Sequence, residues 1–360
     1  MPLAQVVPAC SATLFKAPWW LPGGHVQTIW PALHTRHLTF DGQNWPRYRR
    51  ERWNTPDQDF IDLDWLIDTE HGGVQATAET RPLLVMFHGL EGSSASHYAL
   101  AFARQAQRLG MGFVVPHFRG CGGELNHAPR AYHSGDFEEI DWVLRRLRQS
   151  SARPVFAVGV SLGGNALLRW AQEAGAQAAK VVHAVASVCA PLDLTASGLA
   201  MGRGFNRWVY TRMFLRSMKP KALKKLAQHP GLFKAEALLA ARNLYEFDNV
   251  FTAPLHGFRN TDDYWQRASA KPHLAQIKIP ALVVNTLNDP FVPADSLPGA
   301  GRPHPVALAS QFTRHVTLWQ PRHGGHVGFA TGAWPGHIRA LPEAVIHWLT
   351  LQVRLQLQER

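Results

Sequence analysis

Apolar positions along this chain keep two rhythms. Over residues 61–67, Ile61, Leu63, Trp65 and Ile67 alternate with Asp62 and Asp64, which is the period of a half-buried strand. With 35–41 and 48–53, this predicts an antiparallel start to a sheet. From residue 83, short continuous apolar runs take turns with helical spacing. Strands are predicted at 83–88, 112–118, 154–160, 180–190, 280–286 and 315–319, and helices at 97–109, 137–148, 162–174 and within 337–358. In the second helix, Phe137, Ile140, Val143, Leu144 and Leu147 share one face. Its first turn is acidic and its last basic, which suits the helix dipole. Alternating strands and helices predict a mostly parallel, doubly wound α/β sheet, whose functional groups gather at the carboxyl ends of its strands.

The alternation breaks at 192–275. This stretch is mainly helical and falls between two strands, so it reads as a cap inserted into a single domain spanning 1–360. Between Asp193 and Glu236 there is no acidic residue, while Arg203, Arg207, Arg212, Arg216, Lys219, Lys221, Lys224, Lys225 and Lys234 all fall there. Phe205, Trp208, Val209, Met213 and Phe214 are interleaved with them. A basic amphipathic element of this kind fits peripheral contact with an anionic membrane; a solvated helix face is the plainer alternative. Residues 1–33 read as an irregular, aromatic-rich segment packed on the domain, either lining a pocket or bracing the sheet.

Composition narrows the class. The 360 residues are 46% hydrophobic, enough for one sizeable core. The formal charge of +11 draws the chain to anionic surfaces. No helix-turn-helix, zinc-finger or RNP-like pattern accompanies it, so no nucleic-acid partner is expected. No apolar run is long enough for a transmembrane segment, and the start lacks the features of a signal peptide. Cys10, Cys121 and Cys189 are odd in number and far apart, so a reducing, cytoplasmic compartment is expected. Neither a spaced Cys/His cluster nor a nucleotide-binding glycine loop occurs; no metal and no cofactor are expected.

Candidate chemistry centres on Gly159-Val160-Ser161-Leu162-Gly163. An apolar strand runs into it and a helix leaves it, so Ser161 stands at the apex of a sharp strand-to-helix turn, the geometry of a nucleophile elbow. A serine hydroxyl needs a base, and the base an orienting acid. In elbow folds these follow in the order acid, then histidine. Asp289 falls just past strand 280–286, and His326 lies in the glycine-rich loop after strand 315–319. They are assigned as acid and base; Asp193, Asp295, His323 and His315 are the rivals. Backbone N–H groups of Leu162, opening the helix, and of Leu90, in the loop after strand 83–88, are assigned as oxyanion donors.

Several segments taken together resemble the YheT family of α/β-hydrolases, which includes the plant embryogenesis-associated proteins. They are Gly24-His25-Val26-Gln27-Thr28-Ile29-Trp30-Pro31, His88-Gly89-Leu90-Glu91-Gly92, Phe118-Arg119-Gly120-Cys121-Gly122 and Gly159 to Asn165. Phe247-Asp248, Tyr264-Trp265, Asn288-Asp289-Pro290 and His323 to Phe329 complete the set. The resemblance implies the α/β-hydrolase fold and places a triad on Ser161, Asp289 and His326. It further implies a carboxylic ester hydrolase, with lipid or acylglycerol esters among its substrates. A thioesterase, or a non-catalytic binding protein on the same scaffold, are the alternatives.

Overall fold

The computed structural model describes residues 15–39, 45–67, 81–300, 310–311 and 314–358. Nine strands make one sheet: β1 (Tyr48–Asn54), β2 (Phe60–Leu66), β3 (Leu83–Phe87), β4 (Gly112–Pro116), β5 (Val155–Val160), β6 (Ala184–Val188), β7 (Ala281–Val284), β8 (Ser310–Gln311) and β9 (Val316–Trp319). Their order is β1-β2-β4-β3-β5-β6-β7-β9-β8. Neighbours from β4 through β3, β5, β6 and β7 to β9 pair in parallel, while β1, β2 and β8 add antiparallel edges.

Parallel strands covered on both faces must be apolar at every position, which explains the continuous runs. In β3, Leu83, Val85 and Phe87 enter one core layer and Leu84 and Met86 the other. Helices α3 (Phe137–Gln149) and α4 (Leu162–Ala174) cover the first layer through Ile140, Val143, Leu144, Leu147 and Leu167. The second is covered by α2 (His97–Arg108) and α12 (Ala340–Gln358) through Phe102, Ala103, Ala106, Val345, Ile346 and Leu349. The doubly wound prediction therefore holds.

Four expectations change. Residues 23–39 form helix α1 (Gly23–Thr39), so that part of 1–33 is not irregular and 35–39 is not a strand. The helix absorbs Pro31 by kinking at His34 (φ −110°, ψ 19°). The helix is held by packing: Trp20 and Trp30 rest on a cluster of Leu21, Ala101, Ala330 and Ile338. Residues 1–14 and 40–41, with Cys10, lie outside the described residues. Strand 180–190 shortens to β6, because Val181 and Val182 are buried without pairing in the sheet. Asp62 and Asp64 of β2 are buried rather than half-exposed. Cross-strand register sets Arg52 opposite Asp62 and Arg50 opposite Asp64, and the bidentate pairs that form remove the carboxylates from water. The two-residue edge strand β8 carried no pattern to find.

Between β6 and β7 the chain is helical: α5 (Leu194–Met201), α6 (Gly204–Asn206), a wider π turn (Arg207–Thr211), α7 (Arg212–Gln228), α8 (Ala235–Ala240), α9 (Leu244–Val250), α10 (Thr252–Leu255) and α11 (Thr261–Ala268). Its own small core joins Leu215, Ala222, Leu238, Phe247 and Phe251. Among the described residues, no helix is long and apolar enough to cross a membrane.

Candidate active site

Strand β5 ends at Val160, and α4 starts at Leu162, with Ser161 alone between them. Ser161 sits at φ 53°, ψ −120°, a region costly for any residue with a side chain. Close crossing of strand and helix forces the turn. A Cβ on Gly163 would lie 2.5 Å from the carbonyl oxygens of Phe87 and His88, and one on Gly159 would overlap the Gly163 backbone. The Ser161 N–H donates to the Val188 carbonyl at 2.8 Å, tying the apex to β6.

The structure brings Ser161, Asp289 and His326 together. His326 Nε2 lies 3.0 Å from Ser161 Oγ, and His326 Nδ1 lies 2.8 Å from Asp289 Oδ2. The other carboxylate oxygen accepts the N–H groups of Phe291 (2.8 Å) and Val292 (3.3 Å). An acceptor-only carboxylate fixes the imidazole tautomer with its proton on Nδ1, leaving Nε2 to face the serine. The Phe291 ring covers the imidazole, centroids 4.2 Å apart. The rivals stand elsewhere. Asp193 caps α5 and lies 3.7 Å from Lys271; Asp295 sits in the short Ala294–Ser296 turn; His323 is exposed.

Leu90 and Leu162 both border the same space, and neither backbone N–H has an acceptor among the described residues. Leu162 opens α4, where orphan N–H groups gather. The aim of Leu90 is set by its neighbour. Gly89 carbonyl accepts from His88 Nδ1–H at 2.8 Å and from Gly92 N–H at 2.9 Å. Across a trans peptide the Leu90 N–H points the opposite way. His88 Nε2 accepts from Phe118 N–H at 3.1 Å, so the ring is clamped at both nitrogens. Burial first, then the nearby His117, pushes His88 down to about 3, keeping it neutral.

Residues that the sequence reading did not assign hold the loops that carry His326 and Asp289. Gln27 Oε1 accepts from Gly324 N–H (2.8 Å) and Asn288 Nδ2 (2.9 Å). Thr28 Oγ1 accepts from His326 N–H (2.9 Å) and donates to Gly24 O (2.7 Å). Asn288 Oδ1 accepts from Gly325 N–H at 3.0 Å. A further clamp comes from His97, which burial pushes down to about 4; it donates through Nε2 to Val327 O at 3.1 Å. The one available signal was polar Gln27 and Thr28 set among aromatics that must be buried.

Cys189, Asp289 and His326 place one potential ligand atom each within 4.8 Å of one another. Three donors is the number an open zinc site uses, but this set is already engaged. Cys189 Sγ accepts from Val327 N–H at 3.4 Å, and burial, then the Asp289 charge, pushes its thiol well up. A protonated thiol is a poor ligand, and the other two members bind each other.

Between the sheet edge and the helical insertion lies a cavity of about 160 Å³. Ser161, Leu90, Leu162 and His326 border it from below, and Phe214, Met218, Phe247, Phe251 and Trp265 from above. Three lysines expected on a basic surface are engaged with the protein. Lys225 is buried, donates to the carbonyls of Asn126 and Ala128, and is pushed down to about 8 by burial. Lys221 pairs with Glu91 at 2.9 Å, and Lys219 donates to the Leu239 carbonyl.

Residues 82–333 match the family described as alpha/beta hydrolase fold. The chain belongs to that family. Within these α/β-hydrolases it is 38% identical to "Putative esterase YheT" of Escherichia coli (strain K12), over 91% of this chain and 90% of that one. It is 31% identical to "Phospholipase ABHD3" of Mus musculus, over 80% of this chain and 68% of that one. The solved structure of ferulic-acid-bound Est1E from Butyrivibrio proteoclasticus shares the fold at 14% identity, with a TM-score of 0.51, over 84% of this chain and 99% of that one. The YheT-type resemblance therefore stands, and the curated relatives named here are hydrolases by name. Two motifs of that resemblance now have structural partners: Asp248 of Phe247-Asp248 accepts from Trp265 Nε1 of Tyr264-Trp265 at 2.9 Å.

Proposed function

We propose that this chain is a serine hydrolase of carboxylic esters that works through an acyl-enzyme, with residues 192–275 as the cap over its site. The observation that carries this reading is the hydrogen-bonded line from Ser161 Oγ through His326 to Asp289. Ser161 Oγ attacks the ester carbonyl while its proton passes to His326 Nε2. Asp289 holds Nδ1–H and stabilises the imidazolium. The Leu90 and Leu162 amides receive the oxyanion. The tetrahedral adduct collapses, the alkoxide leaves with the proton from Nε2, and the acyl group stays on Oγ. Water then attacks the acyl carbonyl as Nε2 removes its proton, and a second collapse frees the acid and restores Ser161.

The cavity lining favours an apolar acyl group. Its volume is close to that of an apolar protein cavity that takes benzene, about 150 Å³, so a short acyl chain fits without rearrangement. Lipid and acylglycerol esters are the proposed substrate class, in keeping with relatives named esterase and phospholipase. Intact-mass labelling with a fluorophosphonate tests the reading. One adduct on the wild type and none on Ser161→Ala is expected. An adduct that persists in Ser161→Ala, or none on the folded wild type, overturns it and favours a binding role for the scaffold.

A further inference from the structure

The helix that roofs the cavity presents a second apolar face outward. Phe205, Trp208, Val209 and Met213 follow the spacing i, i+3, i+4, i+8, which places them on one side of a helix. They are 49%, 69%, 38% and 55% exposed, and Leu199 nearby is 46% exposed. The opposite side carries Tyr210, Phe214, Leu215 and Met218 toward the protein. An apolar helix face left in water marks an interaction surface.

Charge identifies the partner. Arg203, Arg207, Arg212 and Arg216 are interleaved with these side chains along the sequence, all exposed, Arg207 lies over the Trp208 ring, and none is ion-paired with a described residue. No carboxylate occurs between Asp193 and Glu236 to offset them. Exposed apolar side chains interleaved with arginines complement a surface that is greasy inside and anionic outside. The face also leads to the chemistry. Phe205 contacts Tyr210 (5.9 Å between centroids), Tyr210 contacts Phe291 (4.6 Å), and Phe291 covers His326 (4.2 Å). Asn206 Nδ2 donates to the Pro290 carbonyl, beside the acid Asp289, at 2.5 Å.

We infer that Phe205, Trp208, Val209 and Met213, with the four arginines, form a docking face for an anionic lipid surface, from which an ester enters along this line of rings. Docking is read without turnover; only the entry route rests on the ester-hydrolase proposal.

Co-sedimentation with phosphatidylcholine vesicles, with and without phosphatidylglycerol, tests the face. The wild type should bind the anionic vesicles more tightly. Each arginine near such a surface is worth about fivefold in partitioning, so Arg207→Gln/Arg212→Gln/Arg216→Gln should weaken binding to them by about a hundredfold. Trp208→Ser/Met213→Ser should weaken it by about tenfold or more. Both variants should keep wild-type turnover of a water-soluble short-chain ester, since none of these side chains borders the cavity. Equal binding of variants and wild type, or no preference for anionic vesicles, overturns the inference. So does a wild-type dimer that Trp208→Ser dissolves, because a second copy would then cover the face. Loss of ester turnover in the wild type with vesicle binding intact would sink the hydrolase proposal and leave the docking face standing.

Discussion

Asp248 offers a test in which the protein becomes more stable by losing a charge. As a residue it is only half-buried because it borders the cavity, yet its carboxyl is enclosed and burial pushes it up to about 6. Hydrogen bonds from Thr252 Oγ1 (2.6 Å) and Trp265 Nε1 (2.9 Å) offset only part of that. The folded protein thus holds this proton more tightly than the unfolded chain does. Stability from the group is fully present below the unfolded value near 4 and is lost as pH rises through about 6. A shift of about 2 units corresponds to about 3 kcal/mol, of which about 2 kcal/mol is lost between pH 4 and pH 7. Asp248→Asn cannot titrate. Its carbonyl can keep the Trp265 bond, and its NH₂ can donate to Thr252 Oγ1, whose own hydrogen then loses its acceptor at a cost of about 1 kcal/mol. That cost is the same at every pH, so the change with pH isolates the charge. Urea unfolding of both proteins at pH 4 and pH 7 should show the variant gaining about 2 kcal/mol relative to wild type across that interval. A difference between variant and wild type that stays constant, or shifts in favour of the wild type as pH rises, would refute the reasoning.

Other outcomes follow from the site geometry. Asp289→Asn should cut ester kcat by about a thousandfold or more, because an amide no longer fixes the proton on His326 Nδ1; its KM should move little. Thr28→Val preserves shape but removes the acceptor of the His326 N–H, which strands a buried donor at a cost of about 1–3 kcal/mol. Fluorophosphonate labelling should slow by about tenfold or more while far-ultraviolet dichroism is unchanged; labelling at the wild-type rate would show that the α1 contact does not position the base.

The legible parts of this protein were those governed by local rules. The doubly buried strands β3 and β5 read as unbroken apolar runs, α4 matched its spacing to the residue, and Ser161 stood where strand meets helix. Asp289 and His326 could be chosen among many carboxylates and 19 histidines because both follow strands in the expected order. What failed was long-range. Nothing near Pro31 shows that Trp30 will pack on a cluster with Ala330 and Ile338, so this segment read as irregular. Nothing near Asp64 shows that Arg50, His117 and Ser94 will converge on it, so β2 looked half-exposed. Lys225 looked like surface charge because its carbonyl partners lie about a hundred residues away. In each case the deciding contact comes from a part of the chain that local pattern does not see.

The α1 brace has a consequence for how the molecule comes into being. Gln27 is bonded to Gly324, and Thr28 to His326, across 297 and 298 positions of sequence. A ribosome delivers one partner of each bond nearly three hundred residues before the other. Ser161, its elbow and the central strands can all be in place well before the base loop has left the exit tunnel. Until then the nascent chain carries a buried-to-be glutamine with nothing to hold and a serine with no base. The proposed chemistry is thereby withheld from every chain that stops short of His326, and the brace closes the site only once both of its partners have been made.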